Sequence, residues 1–233
     1  MILMPIKALV WDLDGTLIHF KINSIKARRK AIKVLTDNGI PKKKLSITLP
    51  ILDNIRFSKI LFNEYEIPER EIEEILKLVN NAVIEVEYEA AINATLIEGI
   101  EEVLVFAKKQ NLKQAIFTFN THDNAVISLK TVGIIDYFDV IAGRDDIKNL
   151  KPHPDHLNNI CKRLNIDCNE IIVVGDTSRD IEAALNVGAH SIALETRIPA
   201  FLSREMFQKA DKIIKQVEIP LQLINAIEKL IEK

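Results

Sequence analysis

Five short apolar runs, each closing on an acidic, hydroxyl or glycine residue, constrain this 233-residue chain more than any other feature. Residues 6–11, 114–117, 137–142, 171–174 and 191–194 are rich in Ile, Val, Phe and Ala, and they stop at Asp12, Thr118, Gly143, Gly175 and Glu195. Such runs predict strands buried in a parallel sheet. Between the later ones, residues 100–109, 123–132, 154–164 and 179–187 carry apolar side chains at helical spacing, with Gly133 and Gly188 as helix stops. Strand and helix in repetition imply right-handed crossovers, so the fold class is α/β with a doubly wound parallel sheet.

One interval breaks the rhythm. After Pro68, residues Ile72, Ile75, Leu76, Val79, Val83 and Val86 fall at helical spacing, and Ile25, Ile32 and Leu35 suggest an earlier helix closed by Gly39. No comparable strand lies there, so a second, smaller all-helical domain is inserted after the first strand. The expected division is residues 1–18 with 96–233 for the core and 19–95 for the insert.

In a doubly wound sheet a ligand sits beyond the carboxyl ends of the strands. Those ends supply Asp12 and Asp14, then Thr118, then Lys151 from a following loop, then Asp176 and Asp180. Crowded carboxylates repel and raise one another's pKa unless a cation neutralises them, and a hard cation such as Mg²⁺ prefers oxygen ligands. The cluster therefore implies a metal. Asp12 is placed to attack phosphorus, and Asp14, two residues on and on the same side, to protonate the leaving oxygen and then deprotonate water. Thr118 and Lys151 suit the phosphate oxygens, the lysine also offsetting charge in the transition state. His153 and His156 have no third ligand nearby and read as loop and helix-start residues.

These residues also form a familiar series. "DLDGT" at 12–16, the hydroxyl within "IFTFN", "KPHPD" at 151–155 and "VVGDTSRD" at 173–180 resemble, in order and spacing, the four motifs of the haloacid dehalogenase-like superfamily. The resemblance spans the chain and is closest to the phosphoglycolate-phosphatase-like branch, whose helical cap is inserted between the first two motifs. It implies a Rossmann-like core, Asp12 as nucleophile and Asp14 as acid/base. Mg²⁺ would be held by the Asp12 carboxylate, the Asp14 backbone carbonyl and Asp176, with Asp180 in support. Two departures stand out. Phe119 intervenes where many relatives place Asn directly after the hydroxyl, which makes Asn120 and Thr121 rival phosphate contacts, and Leu150 replaces a small residue before the Lys-Pro pair.

The expected activity is Mg²⁺-dependent hydrolysis of small soluble phosphate monoesters through an aspartyl phosphate. A sugar phosphomutase of the same fold and a non-catalytic phosphate- or nucleotide-binding regulator are the alternatives. Asp14 argues against a haloacid dehalogenase, which has no use for an acid/base there. With 33 acidic against 31 basic residues, nothing points to nucleic acid or an anionic membrane as partner. Apolar stretches are too short to span a bilayer, and the N-terminal run flows into Asp12 as a strand, not a signal peptide. Cys161 and Cys168 make no disulfide framework or zinc pattern, so a reducing, cytoplasmic setting is expected, with a phosphorylated metabolite as partner and a monomer or homodimer as the state.

Overall fold

The computed structural model describes residues 5–195 and 204–232. The chain divides into two compact units, Lys21–Ile92 and Met1–Phe20 with Asn93–Lys233. The smaller is helical: α1 (Ser24–Asp37), α2 (Ile51–Glu64) and α3 (Glu69–Ala91). Ala31, Leu35, Phe62, Ile72, Ile75 and Val79 form its buried cluster. Lys26–Glu89 and Lys30–Glu85 ion pairs join α1 to α3, but both are solvent-exposed and add little to what the apolar cluster supplies. Pro68 precedes the first turn of α3, where its missing N–H costs nothing. Helix α2 lies where the sequence predicted none.

The larger unit begins with β1 (Ala8–Trp11), followed by a short antiparallel ribbon of β2 (Ile18–His19) with β3 (Thr95–Leu96). The expected divisions at 18/19 and 95/96 run through that ribbon, and its pairing keeps both strands in the larger unit. Then come α4 (Ile100–Lys109), β4 (Lys113–Phe117), α5 (His122–Thr131), β5 (Val140–Ala142), α6 (Asp155–Leu164), β6 (Ile171–Gly175), α7 (Ser178–Val187), β7 (His190–Glu195), a short α8 (Arg204–Phe207), β8 (Lys212–Lys215) and α9 (Leu221–Ile231). The six-stranded sheet has order β5-β4-β1-β6-β7-β8 with every pairing parallel, so the doubly wound α/β expectation holds.

Both faces of β1 are covered, which explains its unbroken apolar run. Leu9 and Trp11 join one buried cluster with Ile100, Leu104 and Ile116, while Ala8 and Val10 join another with Phe117, Leu157 and Val173. Register then fixes the chemistry. Trp11 stands opposite Ile116 of β4 on one side and Val174 of β6 on the other, so the residues just beyond these three strands emerge at one edge. Strand order reverses around β1, where a ligand crevice is expected.

One sequence expectation is corrected here. Cys161 on α6 and Cys168 in the turn before β6 are joined by a disulfide. Their short separation hid a pairing that the helix and turn create by folding back on each other, and cysteine usage no longer argues for a reducing compartment. No helix among the described residues is long and apolar enough to cross a membrane.

Candidate active site

Asp12 leaves β1 with its backbone N–H donating to the Val174 carbonyl at 2.9 Å, so the strand register extends into the site. The chain then turns sharply. Gly15 has φ +87°, a left-handed conformation that costs an L side chain energy, and its N–H donates to the Ile18 carbonyl. This turn returns Thr16 toward Asp12, whose Oδ2 accepts the Thr16 hydroxyl at 3.4 Å. The aspartate-rich motif at 12–16 is thus a strand end followed by a self-bonded turn.

Lys151 is the hub. Its Nζ donates to Asp12 Oδ1 at 2.5 Å, Asp180 Oδ1 at 2.7 Å and the Phe117 carbonyl at 3.0 Å. An ammonium has three hydrogens, so a phosphate oxygen reaches it only by replacing one of these acceptors. The lysine is buried, with its ammonium 4.1 Å from the Phe117 ring centroid. Burial works against its charge, yet Asp12 and Asp180 outweigh burial and hold its pKa above the ordinary lysine value. Asp12 goes the other way for a carboxylate. Burial, assisted by the Asp180 charge, pushes it up to about 6 although Lys151 pulls downward.

Asp180 has two duties. Thr177 and Asp180 form a capping box at the start of α7, the Asp180 Oδ2 accepting the Thr177 backbone N–H at 2.9 Å and its hydroxyl at 2.6 Å. Its other oxygen takes the lysine. Gly175 makes room for this, because a Cβ there would collide with the Asp180 carboxylate. Asp176 lies between Gly175 and the cap, buried, and oxygens of Asp12, Asp176 and Asp180 lie within 4.8 Å of one another.

The remaining expected residues divide. Thr118 is fully buried at the end of β4; its N–H donates to Ala142 and its hydroxyl oxygen accepts the Asn120 N–H at 3.1 Å. Asn120 directs its amide at Asp14, with Nδ2 at 3.0 and 2.9 Å from the two carboxylate oxygens. It thereby orients the second aspartate. The Asp14 side chain lies outside the three-carboxylate group, which leaves its backbone carbonyl as the atom the resemblance assigns to a metal. Thr121 caps α5, accepting the Asn124 N–H.

His156 stands at the first turn of α6, the helix start expected of it, and it also reaches the Lys151 backbone, which its spacing did not show. It is fully buried, Nδ1 lies 3.4 Å from the Lys151 backbone nitrogen and Nε2 3.2 Å from the Ala142 carbonyl. One nitrogen accepts and the other donates, so the ring is neutral, with its pKa lowered to about 4 by burial and the Lys151 charge. The available signal was His at the first turn of a helix whose next inward positions are Leu157, Ile160 and Leu164.

The chemistry of the donor set suits a metal. Three buried carboxylates lie together and only two of them bond Lys151, so negative charge is left over, and all the donors are oxygen. That fits a hard divalent cation.

Residues 9–194 match the family described as haloacid dehalogenase-like hydrolase. The chain is 28% identical over 221 residues to the pyrophosphatase PpaX of Bacillus anthracis, covering 87% of this chain and 94% of that one. It is 26% identical over 191 residues to the N-acetylmuramic acid 6-phosphate phosphatase of Pseudomonas putida, covering 82% and 83%. Among solved structures, a β-phosphoglucomutase from Clostridium difficile superposes with TM-score 0.67 at 24% identity over 98% of this chain and all of that one, a likeness of fold.

Proposed function

The chain belongs to the haloacid dehalogenase-like hydrolases, and on that premise we propose that it is a Mg²⁺-dependent phosphatase acting on small phosphorylated metabolites through an aspartyl phosphate. The observation that carries the reading is the buried Asp12 carboxylate, which ends β1 between a lysine and two further aspartates, with a second carboxylate held by Asn120 two residues on.

Asp12 attacks phosphorus through one oxygen, forming the acyl-phosphate bond as the ester bond to the leaving oxygen breaks. Asp14, protonated at that moment, gives its proton to the leaving oxygen. In the second half Asp14 takes a proton from water, the water oxygen bonds to phosphorus, and the Asp12–phosphorus bond breaks to release phosphate and restore the carboxylate. Asn120 keeps Asp14 aimed through both half-reactions. Lys151 exchanges one of its present acceptors for a phosphate oxygen, and Thr118 offers its hydroxyl proton to another. Asp12, the Asp14 backbone carbonyl and Asp176, supported by Asp180, would hold Mg²⁺, whose contribution is to neutralise charge on the transferring phosphoryl group.

Phosphate release from p-nitrophenyl phosphate with Mg²⁺, with EDTA and with the Asp12→Asn variant tests this. Release by the wild type in Mg²⁺ only, and none by a folded Asp12→Asn, is expected. Undiminished turnover by that variant overturns the covalent route, and an inactive wild type favours a binding regulator.

A further inference from the structure

Asp14 takes its aim from Asn120, and Asn120 stands in the short loop between β4 and α5. The backbone on either side of it is held by one residue from another loop. Arg144, two residues beyond β5, donates its backbone N–H to the Asn120 carbonyl at 2.8 Å and its Nη1 to the Phe119 carbonyl at 2.9 Å. The Asn120 N–H goes to the Thr118 hydroxyl at 3.1 Å. Both peptide planes that meet at the Asn120 Cα are thereby fixed, and those planes set the direction of its Cα–Cβ bond.

The loop that carries Arg144 is anchored in turn. Asp145 Oδ1 accepts the His122 backbone N–H at 2.7 Å, while Asp146 Oδ2 accepts the Gly143 N–H at 2.8 Å and lies 2.9 Å from His122 Nδ1. Gly143 lets the two loops approach, because a Cβ there would lie 2.3 Å from the His122 nitrogen.

We propose that Arg144 is a positioning residue for the acid/base step, acting on Asp14 through Asn120. The inference rests on the phosphatase reading, and neither the sequence motifs nor that reading uses Arg144. Without the guanidinium, the Phe119–Asn120 peptide is held on its N–H side alone, by a Thr118 hydroxyl that also serves the phosphate. The Asn120 amide then loses its fixed bearing on the two Asp14 oxygens. Proton transfer needs the acid within hydrogen-bond reach of the leaving oxygen, and misplacement by about 1 Å can cost about a hundredfold. A planar guanidinium fixes direction as well as distance, which a lysine ammonium does not.

The test compares phenyl phosphate, whose leaving oxygen gains from a proton, with p-nitrophenyl phosphate, whose leaving group needs none, in the wild type, R144M, R144K, N120A and the R144M/N120A double variant. The readout is the ratio of kcat/KM on phenyl phosphate to kcat/KM on p-nitrophenyl phosphate, which a general loosening of the fold does not move. Expected in R144M is a fall of about threefold or more, the net worth of one hydrogen bond, with partial recovery in R144K. The double variant should fall no further than N120A alone, since the arginine acts through the asparagine. A smaller fall in R144M overturns the proposal, and so does a double variant in which the two losses multiply. R144Q repeats the comparison should R144M fail to fold. A wild type that cleaves p-nitrophenyl phosphate and leaves phenyl phosphate intact has no acid step to position and overturns the proposal as well. A wild type that cleaves neither overturns the phosphatase reading instead.

Discussion

His156 should cost this protein stability in acid. His156 is buried with one nitrogen toward the Lys151 N–H and the other toward the Ala142 carbonyl, an arrangement only the neutral ring satisfies. Burial and the neighbouring Lys151 charge depress its pKa from 6.5 to about 4, against smaller opposing contributions from the Ala142 carbonyl, Asp180 and Asp146. Between those values the unfolded chain binds a proton that the folded chain refuses. Stability from this group is therefore complete above 6.5 and is lost as pH falls toward 4. The full interval corresponds to about 3 kcal/mol, most of which is gone by pH ~4.5. Urea unfolding of the wild type and His156→Gln at several pH values isolates it, because glutamine keeps a donor and an acceptor but has no proton to gain. The wild-type curve should fall more steeply than the variant's by about that amount. Parallel curves from pH ~7.5 to ~4.5 would refute the reasoning.

Two further outcomes follow from the site. Lys151→Met leaves Asp12 and Asp180 buried without their cation and should cost about 3–5 kcal/mol in urea unfolding, with Lys151→Met/Asp180→Asn recovering part; a loss under about 1 kcal/mol contradicts the ion-pair account. Asp14→Asn should reduce kcat more on alkyl phosphates than on p-nitrophenyl phosphate, whose leaving group needs no proton; equal losses remove Asp14 from the acid/base role.

The core strands and helices were legible because they are buried on two faces or on one regular stripe. β1 has no exposed residue, and α4 was read at its observed bounds, Ile100–Lys109. Helix α2 was not legible, since Leu52, Phe57 and Ile60 are exposed and blur the apolar period that would reveal it. Strand β8 buries only Ile214 of its four residues and sits at the sheet edge, so its pattern is weak. Tyr137 belongs to a single helical turn before β5, although it continues an apolar run, because the Asp139 side chain accepts the Gln114 N–H and the ladder begins only at Val140. Among site residues, Asp12 and Thr118 directly follow β1 and β4, where topology predicts a crevice, while Lys151 comes from the loop after β5, as expected. His156 meets the site through the Lys151 backbone, a relation with no spacing that sequence could display.

Charge compensation explains why stability and chemistry cannot be varied independently here. The carboxylates of Asp12, Asp176 and Asp180 would not share a buried edge on their own account. Asp180 is tolerated because it closes the capping box of α7 with one oxygen while its other neutralises Lys151. The same cap fixes Thr177, and so the backbone that carries Asp176 toward Asp12. Lys151 is held by Phe117 below and by His156 through its backbone, so its ammonium cannot retreat from the aspartates. Removing Lys151 leaves two buried carboxylates without their cation. A divalent cation adds to this compensation, which means that metal binding should stabilise the folded chain as well as serve the reaction. The candidate site is therefore part of the core's charge balance.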